Sequence, residues 1–207
     1  MRTVTGFGPA YHGRLAGRFE RASDDIQAAI DWAVRYRLTD PDRVGLKAAE
    51  AGADLALKAA VDHAERLAAL IFEHPRFDRM ATLRARARSM LFFYDRLLVG
   101  FSPDGDLDIE TALKAADVLD PDALAGNLRG PVLTGIYKSM ETRREARGRA
   151  MDVIRSIENN DAVVYRQFEG EYMSFLDRYY PESAHRDWWA VQLAFLEKHL
   201  KGAPGGK

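Results

Sequence analysis

The sequence contains no cysteine. That removes disulfide cross-links, thiolate metal sites and cysteine nucleophiles from the chemistry open to the chain. It also has no excess of charge of either sign. Its 30 lysines and arginines stand against 31 aspartates and glutamates, for a formal net charge of −1. An almost neutral surface gives no electrostatic ground for binding nucleic acid or an anionic membrane, and neither is expected as a partner. Long apolar runs are missing too. No stretch approaches the ~20 residues needed to cross a bilayer. The opening residues, Met1 to Gly6, carry no apolar segment of the secretory kind, so a cytoplasmic location is expected. There is no internal repeat and no low-complexity segment.

What is present is an ordinary globular balance over 207 residues, 47% hydrophobic and 29% charged, enough for one domain with a sizeable core. The expected layout is a single domain over 1–207, with a lid-like insertion at about 78–127 and a flexible tail at 202–207. Residues 1–21 read as irregular. Ser23, Asp24 and Asp25 cap a helix to about Arg37, striped by Ile26, Ala29, Ile30, Ala33 and Val34. Pro41 breaks the chain. Val44–Gly45–Leu46 is a short apolar strand, and Gly52 opens a helix to about Glu65, striped by Ala53, Leu57, Ala60 and Val61. Leu67 to Phe72 is a second strand, stopped by Pro75. Residues 78–98 form one long helical pattern rich in arginine, followed by a Gly/Pro/Asp loop and helical pieces near 108–117 and 121–126. Strands over Pro131–Tyr137 and Ala162–Phe168 then alternate with a charged helix from Thr142 to Ile157. A last helix, Ala184–Lys201, carries Trp189, Leu193, Leu196 and Leu200 on one face. Strands alternating with helices predict an α/β fold with a parallel sheet of about four strands, covered on both sides.

The most telling stretch is 40–57, a turn, a strand, a corner of small residues and a helix. In the nucleophile elbow Gly-x-Ser-x-Gly, such a corner lifts a serine above the sheet. Here Ala48 and Gly52 stand at the two glycine positions and Glu50 at the serine.

The order of pieces resembles the C-terminal part of the catalytic domain of the prolyl oligopeptidase family, the dipeptidyl and acylaminoacyl peptidases of the α/β-hydrolase superfamily. Arg2 to Gly8 is similar to that family's Arg-Gly-Ser-x-Gly-Tyr-Gly loop. Asp24 to Trp32 resembles the helix before the nucleophile strand, and Asp40 to Leu46 the entry to that strand. Gly130 to Leu133 is similar to the strand before the acid, Tyr165 to Glu171 with Phe175 to the run around the histidine, and Trp188 to Leu200 to the closing helix. The resemblance covers nearly the whole chain except the lid, and implies a partial α/β-hydrolase-like sheet with flanking helices and a helical lid insertion. It also implies where the Ser-Asp-His triad belongs. The serine falls on Glu50, the aspartate on or beside Met140 with Glu141 next to it, and the histidine on Met173, within Gly170 to Phe175. The family's early strands and its propeller domain have no counterpart here.

Serine hydrolysis needs a nucleophile, a base and a group to orient the base. Methionine at 173 accepts no proton at neutral pH, and no serine stands at the corner, so no residue is catalytic by the family mechanism. Glu50 as a carboxylate nucleophile, like the aspartate of haloalkane dehalogenases, would lack the histidine that its ester needs. The simpler role for Glu50 is a carboxylate stabilised at a helix N-terminus. A sharper alternative pairs Glu50 with His74 at the carboxyl end of the sheet, in a pocket formed with Ala51, Lys138 and Tyr172. Glu182 and His185 are a single ligand-type pair, read as a helix start, so no metal and no cofactor are expected. Asp62 and His63 read as a solvated helix end. The arginines of 79–88 read as a solvated face, and Met140, Met151 and Met173 as packing.

The strand at 43–48 would have no covalent neighbour on its outer side, and an exposed apolar edge is a pairing surface. Residues 1–21, a second copy or another subunit would cover it. The expected role is therefore a catalytically degenerate hydrolase-like protein, a pseudoenzyme serving as a binding or partner subunit of a homo- or hetero-oligomer, with room for a small-molecule ligand. Two alternatives stay open. One is an enzyme reusing the pocket for lyase, cyclase or isomerase chemistry through Glu50, His74, Tyr172 and Lys138. The other is a serine peptidase or esterase completed by a second chain.

Overall fold

A computed structural model describes residues 22–49, 52–75, 77, 120–137, 152–155, 157, 163–168 and 182–200. Helix α1, Ala22–Arg35, carries Asp24 and Asp25 in its first turn and Arg35 in its last, each charge opposing the helix dipole. It stops in a Schellman closure. The Leu38 N–H donates to Ala33 and the Arg37 N–H to Val34, both at 2.9 Å, with Arg37 in the left-handed region at φ 57°. Asp40 then builds the turn into the sheet. Its carboxylate accepts from the Asp42 N–H and its carbonyl from the Arg43 N–H, with Pro41 supplying the fixed φ between them.

Strand β1, Gly45–Ala49, leads to helix α2, Gly52–Asp62, and strand β2, Ala69–Glu73. The sequence extends α2 to about Glu65. The helix instead ends at Asp62, because residues Ala64–Arg66 tighten into a 3₁₀ turn. The next strand accordingly starts two residues later than the pattern implies. A short helix α3, Pro121–Ala125, opens with Asp120 as cap, accepting from the Asp122 N–H at 3.1 Å, and Pro121 in the first turn. Strands β3, Val132–Tyr137, and β4, Val163–Phe168, follow, and helix α4, Glu182–Leu200, closes the described chain. Residues 152–155 and 157 are helical, within the charged helix expected over 142–157. The expected lid helices at 78–98 and 108–117 lie outside the described residues.

The four strands form one sheet in the order β1-β2-β3-β4, every pair parallel. One face packs on α2. Ala53, Ala56, Leu57 and Ala60 meet Leu70, Phe72 and Val132, with Val153, Ile154 and Ile157 beside them, Ala125 at the end of α3 and Leu128 just after it. The stripe expected on α2 is therefore the buried one. The other face packs on α4, where Ala69, Ile71 and Leu133 meet Trp188 and Phe195. Here the sequence stripe is rotated. Trp188, Gln192 and Phe195 are buried and Leu196 and Leu200 partly so, while Trp189 and Leu193 point outward, 46% and 55% exposed. The reason is a glycine. Gly135 leaves a slot on β3 that the Trp188 ring fills, and a Cβ there would sit 2.6 Å from Trp188 Cη2. That fit sets the rotation of the helix.

Candidate functional site

In a parallel sheet, all strands end on the same side, and ligands bind there. Strand β1 ends at Ala49 and α2 begins at Gly52, so Glu50 and Ala51 are the residues between the two elements. Both lie outside the described residues, as do Lys138, Met140, Tyr172 and Met173. Of the expected pocket, His74 is described. The last pair of the β1–β2 register is Ala49 opposite Glu73, so positions 50 and 74 follow that pair along their two strands.

His74 is buried, 6% exposed, and takes the left-handed conformation at φ 51°. Its backbone N–H donates to the Gly135 carbonyl at 2.7 Å, which ties the end of β2 to β3. A non-glycine residue in this conformation costs of order 1 kcal/mol or more, and such residues concentrate at ligand clamps and active sites. After His74, Pro75 is buried, and the Phe77 ring meets Phe72 edge-on at 5.5 Å.

Three polar groups at this end were not singled out by sequence reasoning. Asp54, in the first turn of α2, is 3% exposed. Its place two residues past Gly52 was the available signal, since acidic groups favour helix N-termini. Thr134 on β3 is fully buried, and its hydroxyl has no hydrogen-bond partner among the described residues. Glu73 bridges to Lys47 of β1 at 2.6 Å, and the Lys47 ammonium sits 4.8 Å from the centre of the Trp189 ring. Nothing in the spacing of 47, 73 and 189 announces that cluster. It exists because β1, β2 and α4 converge.

Asp62 is exposed, as a solvated helix end implies, and His63 is half-buried, but Asp62 is also paired. The Ser23 hydroxyl donates to Asp62 at 2.6 Å and Lys58 bridges to it at 2.8 Å. Burial pushes the Asp62 carboxyl up, but those two hydrogen bonds and the charges of Lys58 and His63 outweigh it, holding the group below the usual carboxylate range. Helix α4 begins at Glu182, as the helix-start reading of Glu182 and His185 requires. Among the described residues, no three side chains gather as metal ligands, and no helix is long and apolar enough to cross a membrane.

This arrangement, a parallel sheet with α2 on one face and α4 on the other, is a doubly covered α/β fold, and the solved structures it resembles are α/β-hydrolases. An acylaminoacyl peptidase in complex with Z-Gly-Gly-Phe-chloromethyl ketone superposes on 100% of this chain with a TM-score of 0.70 at 19% identity, the match covering 32% of its own length. A prolyl endopeptidase matches 100% of the chain with a TM-score of 0.66 at 15% identity, over 28% of its length. A monoacylglycerol lipase from Paleococcus ferrophilus matches 87% of the chain and 76% of its own, with a TM-score of 0.57 at 14% identity. The chain thus spans about a third of the length of the peptidases it matches. No family model matches it, and no curated protein matches it in sequence.

Proposed function

We propose that this chain is a catalytically degenerate α/β-hydrolase-fold protein that acts as a binding or partner subunit. One observation carries the reading. The corner between β1 and α2, where this fold presents its nucleophile, is Glu50–Ala51, and no serine, threonine or cysteine occurs from Val44 to Gly52. Without a hydroxyl or thiol there, acyl transfer has no ordinary starting point. Met140 and Met173 at the other triad positions agree with the same reading. The sheet end keeps a buried histidine and a buried carboxylate, His74 and Asp54, so a small-molecule ligand has polar groups to meet. The deciding experiment is treatment of the purified chain with a fluorophosphonate probe, followed by intact-mass measurement. No adduct is expected. An adduct on any serine would sink the proposal.

A second reading, an enzyme that reuses the pocket for non-hydrolytic chemistry, is favoured by the backbone of His74. A left-handed, buried histidine at the carboxyl end of a strand is a costly device for packing alone. On this reading, Glu50→Gln and His74→Ala each abolish turnover of whatever substrate a lyase or isomerase screen finds. Retained turnover in both variants would remove it.

A further inference from the structure

We infer that β1 and the outward stripe of α4 form a docking surface for a second copy of this chain, with the two β1 strands pairing antiparallel across a two-fold axis. The inference gives the partner-subunit reading its partner and rests on it.

The backbone comes first. β1 stands at one end of the sheet, and among the described residues nothing pairs with its outer side. The Val44 carbonyl accepts from the Ala68 N–H at 2.8 Å, so Val44 faces β2. Alternation then turns the backbone groups of Gly45, Lys47 and Ala49 outward. Edge strands are normally protected by proline, a bulge or an outward lysine. β1 has no proline, and its register against β2 runs unbroken from Gly45 to Ala49. Its lysine gives no protection. Lys47 is drawn back over its own sheet by Glu73 on β2 and the Trp189 ring, so it does not cover the edge.

The flanks point the same way. Trp189 and Leu193 lie one turn apart on α4, about half exposed, with Trp189 beside Lys47. In the other layer, α1 and the turn that leads into β1 expose Trp32, Tyr36 and Leu38 at 56%, 61% and 65%. A two-fold axis normal to the sheet sets each layer against its own copy, apolar stripe against apolar stripe. That is the self-complementarity a two-fold interface requires. A stable interface needs roughly 800 Å² from each partner, which a five-residue strand cannot supply without such flanks. A net charge of −1 opposes nothing. Register follows from charge. Centring the pair on Lys47 would oppose two ammonium groups, whereas centring it on Leu46 or Ala48 sets Lys47 against Gly45 or Ala49 of the second copy.

Light scattering on the full chain tests this. The expected mass is twice 23.2 kDa, falling on dilution. Ala49→Pro removes an outward N–H and no bond to β2, and Leu193→Glu places a charge in the stripe. Each is expected to give the single-chain mass with unchanged circular dichroism, and Leu193→Glu decides if the proline variant does not fold. A wild-type mass of 23.2 kDa, or a dimer that survives both substitutions, overturns the inference. Failure here is distinct from failure of the proposed function. A dimer that takes a fluorophosphonate label keeps the interface and loses the pseudoenzyme, and an unlabelled monomer does the reverse.

Discussion

The two faces of the sheet are covered by opposite means. On the α2 face, Ala53, Ala56, Ala59 and Ala60 surround Leu57, and the helix lies close over β1 and β2 with every one of these side chains buried. Small residues let the backbone approach, so the packing is spread over many contacts. On the α4 face, one large ring enters one glycine slot, Trp188 over Gly135, and half of the helix's apolar stripe is left outside. Distributed packing seals a face, whereas a single deep anchor fixes a helix's rotation and leaves the neighbouring stripe available.

Trp188→Ala should break the anchored face hardest, by about 3–5 kcal/mol in denaturant melts, because nothing else fills the slot. Leu57→Ala should cost less, about 2–4 kcal/mol, since small neighbours can close partly around the gap. The contrast between the faces fails if that order is reversed. Gly135→Ala should cost about 1–3 kcal/mol through overpacking, and combining it with Trp188→Leu should recover part of the loss. Equal, additive costs would mean that the slot and the ring are not coupled.

Smaller effects separate the faces by pH. Ser23→Ala should cost on the order of 0.5–1 kcal/mol at neutral pH, since the hydroxyl serves a charged but partly exposed Asp62. The Asp62 carboxyl is held low in the folded protein, so its contribution is present above the usual carboxylate range and lost as pH falls through the folded value. The Ser23→Ala and wild-type stability curves should therefore converge in acid. On the other face, burial, with Lys198 adding to it, holds the His199 imidazole below its usual range, where it stacks on Phe195 at 4.7 Å. The unfolded chain takes up that proton more readily, so stability should decline as pH falls through the ordinary histidine range. His199→Gln should flatten the curve there.

Much of this architecture was legible in the residues. Apolar runs placed three of the four strands within two residues at each end and the first within three, and the stripe Ala53, Leu57, Ala60 found the buried face of α2. Periodicity did not find the buried face of α4, because hydrophobic spacing alone cannot see a hole on a distant strand. Trp189 and Leu193 match a helical stripe as well as Trp188 and Phe195 do, and only Gly135 decides between them. Likewise, His74 could be read as the end of a strand, but its left-handed backbone could not, since histidine, though enriched among non-glycine residues there, adopts that conformation in only a small minority of its positions. The start of α2 at Gly52 was readable from the local pattern, whereas β1 runs on to Ala49, beyond its apolar residues.

The two covers also differ in when they can exist. The contacts of α2 with β1 and β2 lie within residues 45–73, so that part of the layer can form while the chain is still being synthesised, before Val132, Val153 and Ile154 join it. The opposite cover arrives last. Until Trp188 and Phe195 emerge, Ala69, Ile71 and Leu133 lack the cover that α4 gives them, and Arg43 waits for the carbonyl of Leu200, 157 residues further on. A nascent chain stopped before residue 182 would present that apolar face to chaperones, and the ribosome itself sets how long the exposure lasts.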